Sequence, residues 1–281
     1  MIELRGWSRA DTVPFLRVPD ESDDKYSRGV VALRTGSSAY PGAAVLGVEA
    51  AWRSGAGFVR YIGDDRPADA VLARRPETVV GASAGSSRPG AWVIGSGTDA
   101  AERSPEELAA LQEILTGSAP VVADAGALDL AVGAAAPLLL TPHAGEFAKL
   151  RERLRLRPDG ANRATEAAQT AAALGQTVLL KGARTLVASA DGTVIEVAAG
   201  TGWLATAGAG DVLAGVVGAL LAANPSAEIA EVAAAGAWLH GYAARLASGV
   251  GGGGDTARRG RPIVAMDVAE ALPRAIADLL S

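Results

Sequence analysis

The chain has 281 residues, 31 acidic against 26 basic, a net charge of −5, no cysteine and two histidines. That length suffices to bury a large core without covalent staples, and the missing thiols exclude disulfide frameworks, thiolate metal sites and cysteine nucleophiles. A net acidic chain sets up no overall positive field for nucleic acid, so an anionic ligand must be held by local groups.

In chain order, residues 1–27 mix charge, proline and short apolar clusters without a sustained period, as expected of an arm packed on a neighbouring element. The start carries Glu3, Arg5 and Arg9 and no apolar core typical of a secretory leader. No uncharged apolar stretch reaches the roughly 20 residues that span a bilayer. The expectation is a soluble, cytoplasmic protein without a membrane partner.

From Gly29 a strand, helix, strand alternation begins: Val30 to Leu33 as strand, Gly42 to Arg53 as helix, Gly57 to Ile62 as strand. Thr78 to Val80 and Ala91 to Ile94 follow as strands. Ser104 reads as an N-cap, with Pro105 at the first helical position and Glu107 completing a capping box. Pro120 to Ala123 and Leu138 to Leu140 are short apolar strands, each running into a polar loop. A helix is expected over Asn162 to Leu174 and a strand over Thr177 to Leu180. Thr185 to Ala188 and Thr193 to Val197 then flank the turn dipeptide Asp191-Gly192 as a hairpin. A buried helix from Val212 to Leu221, a long helix from about Ala227 to Leu246, a loop at Gly251 to Gly254 and a last helix framed by Asp267 and Glu270 as a capping box close the chain. This order implies an α/β fold with a largely parallel sheet covered on both faces. Its ligand crevice lies at the carboxyl ends of the strands.

Three familiar motifs fail. No Walker A sequence is present. Gly95-Ser96-Gly97-Thr98-Asp99-Ala100 matches a loose dinucleotide fingerprint, a weak signal in a glycine-rich chain. Gly81-Ala82-Ser83-Ala84-Gly85 spells a nucleophile elbow, but Ser86-Ser87-Arg88-Pro89-Gly90 follows where a helix is required. What remains is Ala205 to Leu221, where a glycine-punctuated turn delivers Asp211 into an apolar helix. Asp211 either caps that helix or stands beside an anion site made by its unpaired N–H groups. The second reading suits phosphoryl transfer, which needs positioning, charge neutralisation and a base.

Ala207-Gly208-Ala209-Gly210-Asp211 resembles the glycine-aspartate motif of ribokinase-like small-molecule kinases. With Lys25 to Gly29, Tyr40 to Leu46, Thr141 to Glu146 and Lys181 to Thr185, in that order, the set is similar to the ADP/ATP-dependent NAD(P)H-hydrate dehydratase family. The resemblance implies one ribokinase-like domain over 1–281, a largely parallel sheet with helices on both faces and some antiparallel edge strands. It implies ADP or ATP with Mg2+ as co-substrate, and Asp211 as the group that deprotonates or orients the substrate hydroxyl. Ala43, beside Gly42, together with Gly97, His143, Glu146 and Asp211, would contact the hydrated cofactor. Lys181, Gly182, Ala183, Arg184 and Thr185, with Gly208, Ala209 and Gly210, would bind the nucleotide. No dedicated metal ligand is implied. A homo-oligomer, a tetramer by resemblance, and a separate epimerase protein are the implied partners, since the chain is too short to carry a fused epimerase domain.

Read without the resemblance, His143 is a turn residue, Glu146 a first-turn acid, Lys181 a solvated strand-end lysine, and His240 a packing residue with a satisfied hydrogen bond. The chain departs from the family pattern at Asp124-Ala125-Gly126-Ala127-Leu128, where a second acid is often found, and at Thr201-Gly202-Trp203-Leu204-Ala205-Thr206, which stands in place of a more usual Asn-Pro-Gly-Met-Ala-Thr. Two rival functions remain: a kinase for a small alcohol such as a vitamin precursor, and a catalytically silent nucleotide-binding or assembly protein.

Overall fold

The computed structural model describes residues 4–85, 88–156, 162–250 and 259–281. The Gly251 to Gly254 loop lies outside them. The strands are β1 (Leu4–Gly6), β2 (Val30–Arg34), β3 (Phe58–Tyr61), β4 (Val79–Val80), β5 (Ala91–Ile94), β6 (Val121–Ala123), β7 (Leu138–Leu140), β8 (Thr177–Leu180), β9 (Thr185–Ala188) and β10 (Val194–Val197). They form one sheet in the order β1-β10-β9-β8-β7-β6-β5-β2-β3-β4. Pairings from β8 through to β4 are all parallel; β9 runs against both β8 and β10.

The central strands β2 and β5 to β7 are short apolar runs because both faces are covered. Leu139 and Leu179 face a core shared with α2 (Pro41–Arg53), α7 (Ala209–Ala223), α8 (Ile229–Ser248) and α9 (Ala265–Leu280). Their neighbours Leu138, Leu140, Val178 and Leu180 face the opposite core, with α4 (Pro105–Leu115), α5 (Ala144–Arg153) and α6 (Arg163–Leu174). The period-two alternation of strand side chains thus feeds two layers. Helix α7 lies almost entirely in the first of them. A Cβ on its Gly215 would stand 2.2 Å from the Gly47 carbonyl oxygen, so α2 and α7 touch backbone to backbone and the start of α7 is fixed over the sheet.

The hairpin forms at the expected residues, with Gly192 at φ 91° and the Asp191 carboxylate accepting from Thr193 N at 2.9 Å. Other expectations need correction. The arm supplies an edge strand, β1, paired in parallel with β10; a three-residue strand held by backbone bonds leaves no side-chain period to read. It continues into the four-residue α1 (Arg9–Thr12). Helix α3 (Asp65–Arg74) had no counterpart among the expected elements. The box at Ser104 is only half made: Ser104 Oγ accepts from Glu107 N at 3.1 Å, while the Glu107 carboxylate turns to Arg34 Nε at 3.0 Å. A charge-assisted pair outbids the return bond to the cap. Helix α9 begins at Ala265, so Asp267 is its third residue, accepting from Val264 N at 2.8 Å. Glu270 instead meets Arg74 at 2.7 Å.

Candidate active site

Strands β5 to β8 are adjacent, and each ends by passing from an apolar run to a polar residue: Ser96, Asp124, Thr141 and Lys181. Because the strands are parallel, these four side chains come to one edge. Asp124 is their hub and is only 3% exposed. Its Oδ1 accepts from Lys181 Nζ at 2.8 Å and from Thr141 Oγ1 at 2.9 Å, and its Oδ2 accepts from Ser96 Oγ at 3.1 Å. Sequence reasoning left Asp124 without a role. The only local signal was a polar residue directly after a buried apolar triplet.

Helix α7 brings Asp211 to the same edge. Its N-cap is Gly208, at φ 84° and with no side-chain cap bond. Asp211 is the third residue of the helix, so it is not the N-cap. A side chain at 208 would meet Leu46 Cδ1 at 2.5 Å, which restricts the turn to glycine on both steric and dihedral grounds. A Cβ at Gly210 would stand 3.3 Å from Lys181 Nζ and 3.9 Å from Asp124 Oδ2, so the glycine turn lies directly over the lysine and acid. Burial pushes the Asp211 carboxyl up to about 6, and the Asp124 charge pushes the same way, against Lys181 and a hydrogen bond from Ser96. The result is a carboxylate poised near neutrality beside a lysine and a helix start whose Ala209 amide bonds Thr206 O at 3.5 Å, a setting for general base chemistry on a phosphate acceptor.

His143 and Glu146 do form the structural unit that their local reading implied. His143 Nδ1 accepts from Gly145 N at 3.0 Å, and Glu146 Oε2 accepts from His143 N at 2.8 Å, a reciprocal cap on α5. The unit also faces the cluster: Glu146 Oε2 lies 4.0 Å from Lys181 Nζ. His143 keeps a side chain 61% exposed, open to a ligand.

Ala43 and Gly97 meet each other at the edge of the cluster. A Cβ on Gly97, whose φ is 68°, would fall 2.3 Å from Ala43 Cβ. Adjacent to this contact a cleft of about 520 Å³ opens between the ends of β2, β3 and β5, lined among others by Thr35, Gly36, Ser37, Thr98 and Asp99. The fingerprint reading of residues 95–100 fails here, since only a three-residue turn of 3-10 helix, Ala100–Glu102, follows. The elbow reading gains no support either, since among the described residues between Gly85 and β5 at Ala91 there is no helix.

The predicted nucleotide segment divides. Lys181 joins Asp124, whereas Gly182, Ala183 and Thr185 line a separate small cavity with His240. The Arg184 side chain turns away onto β10, pairing with Glu196 at 2.7 Å. His240 is 7% exposed and hydrogen-bonds the backbone of Ala209, as expected of a packing residue, but its Nε2 has no hydrogen-bond partner.

A largely parallel sheet, with an acid delivered over its carboxyl edge by a glycine turn, is a ribokinase-like α/β fold. The chain belongs to the NAD(P)H-hydrate dehydratase family, whose model matches residues 31–258. It is similar to the bifunctional NAD(P)H-hydrate repair enzyme Nnr of Mycobacterium tuberculosis, 44% identical over 237 residues, which cover 81% of this chain and 48% of that protein. The chain thus spans about half the length of that relative. It is also similar to the ADP-dependent (S)-NAD(P)H-hydrate dehydratase of Neisseria meningitidis, 36% identical over 80% of this chain and 79% of that one. Among solved structures, the ADP/ATP-dependent NAD(P)H-hydrate dehydratase of Bacillus subtilis, co-crystallised with ATP and Mg2+, superposes with a TM-score of 0.81 at 26% identity, covering 99% of this chain and all of that one.

Proposed function

We propose that this protein dehydrates the S form of hydrated NADH or NADPH at the expense of ADP or ATP, restoring the reduced cofactor and releasing phosphate with AMP or ADP. The observation that carries the reading is Asp211 at the third position of α7, its carboxyl raised to about 6 beside Lys181 and Asp124. Hydroxide is a poor leaving group and phosphate a good one. Asp211 takes the proton of the ring hydroxyl as its oxygen bonds to the terminal phosphorus of the nucleotide, and the phosphoanhydride bond breaks toward AMP or ADP. The C–O bond then breaks with its electrons on phosphate, and a proton leaves the adjacent ring carbon to form the double bond. The amides of Ala209, Gly210 and Asp211 take up charge on the transferred group. Lys181 serves the same phosphate while Asp124 fixes its position. Ala43, Gly97, His143 and Glu146 hold the hydrated ring, and Lys181 to Thr185 with Gly208 to Gly210 hold the nucleotide.

Mg2+ fits as a companion of the nucleotide. Among the described residues no group of three His, Cys, Asp or Glu side chains could cage a metal, and Mg2+ characteristically binds through substrate phosphates, water and one or two carboxylates. Here Glu146, at the cluster's rim, is the carboxylate that would reach it, and the ion would supply neutralisation of phosphate charge.

We further propose a homo-oligomer in the cytoplasm, working with an epimerase activity that supplies the S form. Among the described residues no helix is long and apolar enough to cross a membrane. The test is to incubate the protein with the S hydrate of NADH, Mg2+ and either nucleotide, and to follow dihydronicotinamide absorbance. Recovery of absorbance is expected; none with either nucleotide would sink the dehydratase reading and return the small-alcohol kinase to first place.

A further inference from the structure

Helix α8 is built from small apolar residues where it crosses the core, with Ala235, Gly236, Ala237, Leu239, Gly241, Ala243 and Ala244 buried. His240 interrupts that series. A buried imidazole nitrogen without a partner is destabilising, a cost that any aliphatic side chain at 240 would avoid. The His240 ring lines a cavity of about 40 Å³ together with Gly182, Ala183, Thr185, Gly200 and Leu204. One wall is therefore the loop between β8 and β9. Burial, helped by the Lys181 charge, holds the imidazole down at about 4 and so neutral at working pH, against a hydrogen bond with the backbone of Ala209, first residue of α7. His240 thus stands at the junction of the two segments assigned to the nucleotide, the β8–β9 loop and the α7 start, bonded to the Ala209 backbone and with Nε2 still unpartnered.

We propose that His240 is a nucleotide-binding residue whose imidazole hydrogen-bonds a ribose hydroxyl of the bound ADP or ATP. The proposal rests on the nucleotide use proposed above. Three features select the hydroxyl. The cavity takes water-sized groups and has no room for a purine ring. A neutral imidazole has one donor and one acceptor nitrogen, and a hydroxyl satisfies either, whichever carries the proton. The phosphates are already served by the amides at the α7 start and by Lys181, so the sugar attached to them is the group that falls between that turn and the Gly182 to Thr185 loop.

The experiment measures dissociation constants for ADP and ATP, and for their 2′-deoxy and 3′-deoxy forms, by titration calorimetry on the wild-type chain, His240→Phe and His240→Gln, with a thermal melt of each. Expected are binding at least tenfold weaker in His240→Phe, partial recovery in His240→Gln, and a loss on removing one hydroxyl that the wild type shows and His240→Phe does not. If a water alone fills the cavity, His240→Phe shifts the melt while affinities and the deoxy discrimination stay as in the wild type, and the proposal is overturned. A wild-type chain that binds neither ADP nor ATP would overturn both this proposal and the nucleotide-dependent reading, whereas normal wild-type binding with no effect at 240 overturns this one alone. Should His240→Phe not fold, the comparison of deoxy and ribo forms on the wild type and His240→Gln decides.

Discussion

Replacing Asp211 with Asn keeps the side chain's shape and removes its charge and basicity, so stability and turnover should move in opposite directions. The carboxyl has an ordinary value of 3.8 and is raised to about 6 in the fold, chiefly by burial and then by Asp124. A folded pKa above the unfolded one means that the native state binds the proton more tightly. Stability from this group is complete below about pH 3.8 and is lost as pH rises through about 6, so at neutral pH the ionised acid costs roughly 3 kcal/mol. Asp211→Asn should recover part of that, on the order of 1–3 kcal/mol, and raise the melting temperature by several degrees. Turnover should fall at least about 100-fold, the usual loss when a general base is removed. The assays are urea or thermal unfolding at pH 7.5, and hydrate turnover with saturating nucleotide from pH 5 to 9, where the wild type should lose activity as pH falls through about 6. A variant that is less stable than wild type yet turns over nearly as fast would refute the reasoning and leave Asp211 a helix-start residue.

Asp124→Asn removes a negative neighbour of Asp211 and frees the Lys181 ammonium; both changes favour the ionised Asp211, so the acidic limb of the pH profile should shift below 6, and an unchanged limb would break the proposed coupling. Gly97→Ala puts a Cβ against Ala43 at a positive φ, so stability in urea should drop by about 1–3 kcal/mol and KM for the hydrate should rise. Glu49, fully buried, is pushed up by burial, but hydrogen bonds from Arg75, Arg53 and Arg74 outweigh this and hold it at about 2. Glu49→Gln should cost roughly 3 kcal/mol at pH 7. Because the depressed carboxyl contributes its stability above about pH 4.5, the gap between variant and wild type should close as pH falls toward 2, as followed by urea midpoints.

Much of this architecture is legible in the sequence because it is local. Apolar triplets such as Leu138 to Leu140 mark doubly covered strands, Asp191-Gly192 marks its hairpin, and Gly208 to Asp211 marks the helix start that carries the acid. What escapes is long-range pairing. Lys181 finds Asp124 across 57 residues, and Glu107 finds Arg34 across 73, abandoning the cap that its spacing suggested. No local pattern announces either, yet the first pair supplies both the charge that raises Asp211 and the charge that opposes the rise. His143 shows a different limit, since one side chain both caps α5 and faces the site, and the choice between cap and contact is not an exclusive one. His240 reads as one more helix residue until its unpartnered nitrogen is seen against the nucleotide loop.

The central claim is that the substrate hydroxyl is phosphorylated before it leaves. The direct measurement supplies S-hydrated NADH carrying ¹⁸O in its ring hydroxyl, with unlabelled ADP or ATP, and reads the released phosphate by mass spectrometry. Phosphoryl transfer to that oxygen followed by C–O cleavage predicts one ¹⁸O in each phosphate formed. Unlabelled phosphate with the label recovered in water would contradict it.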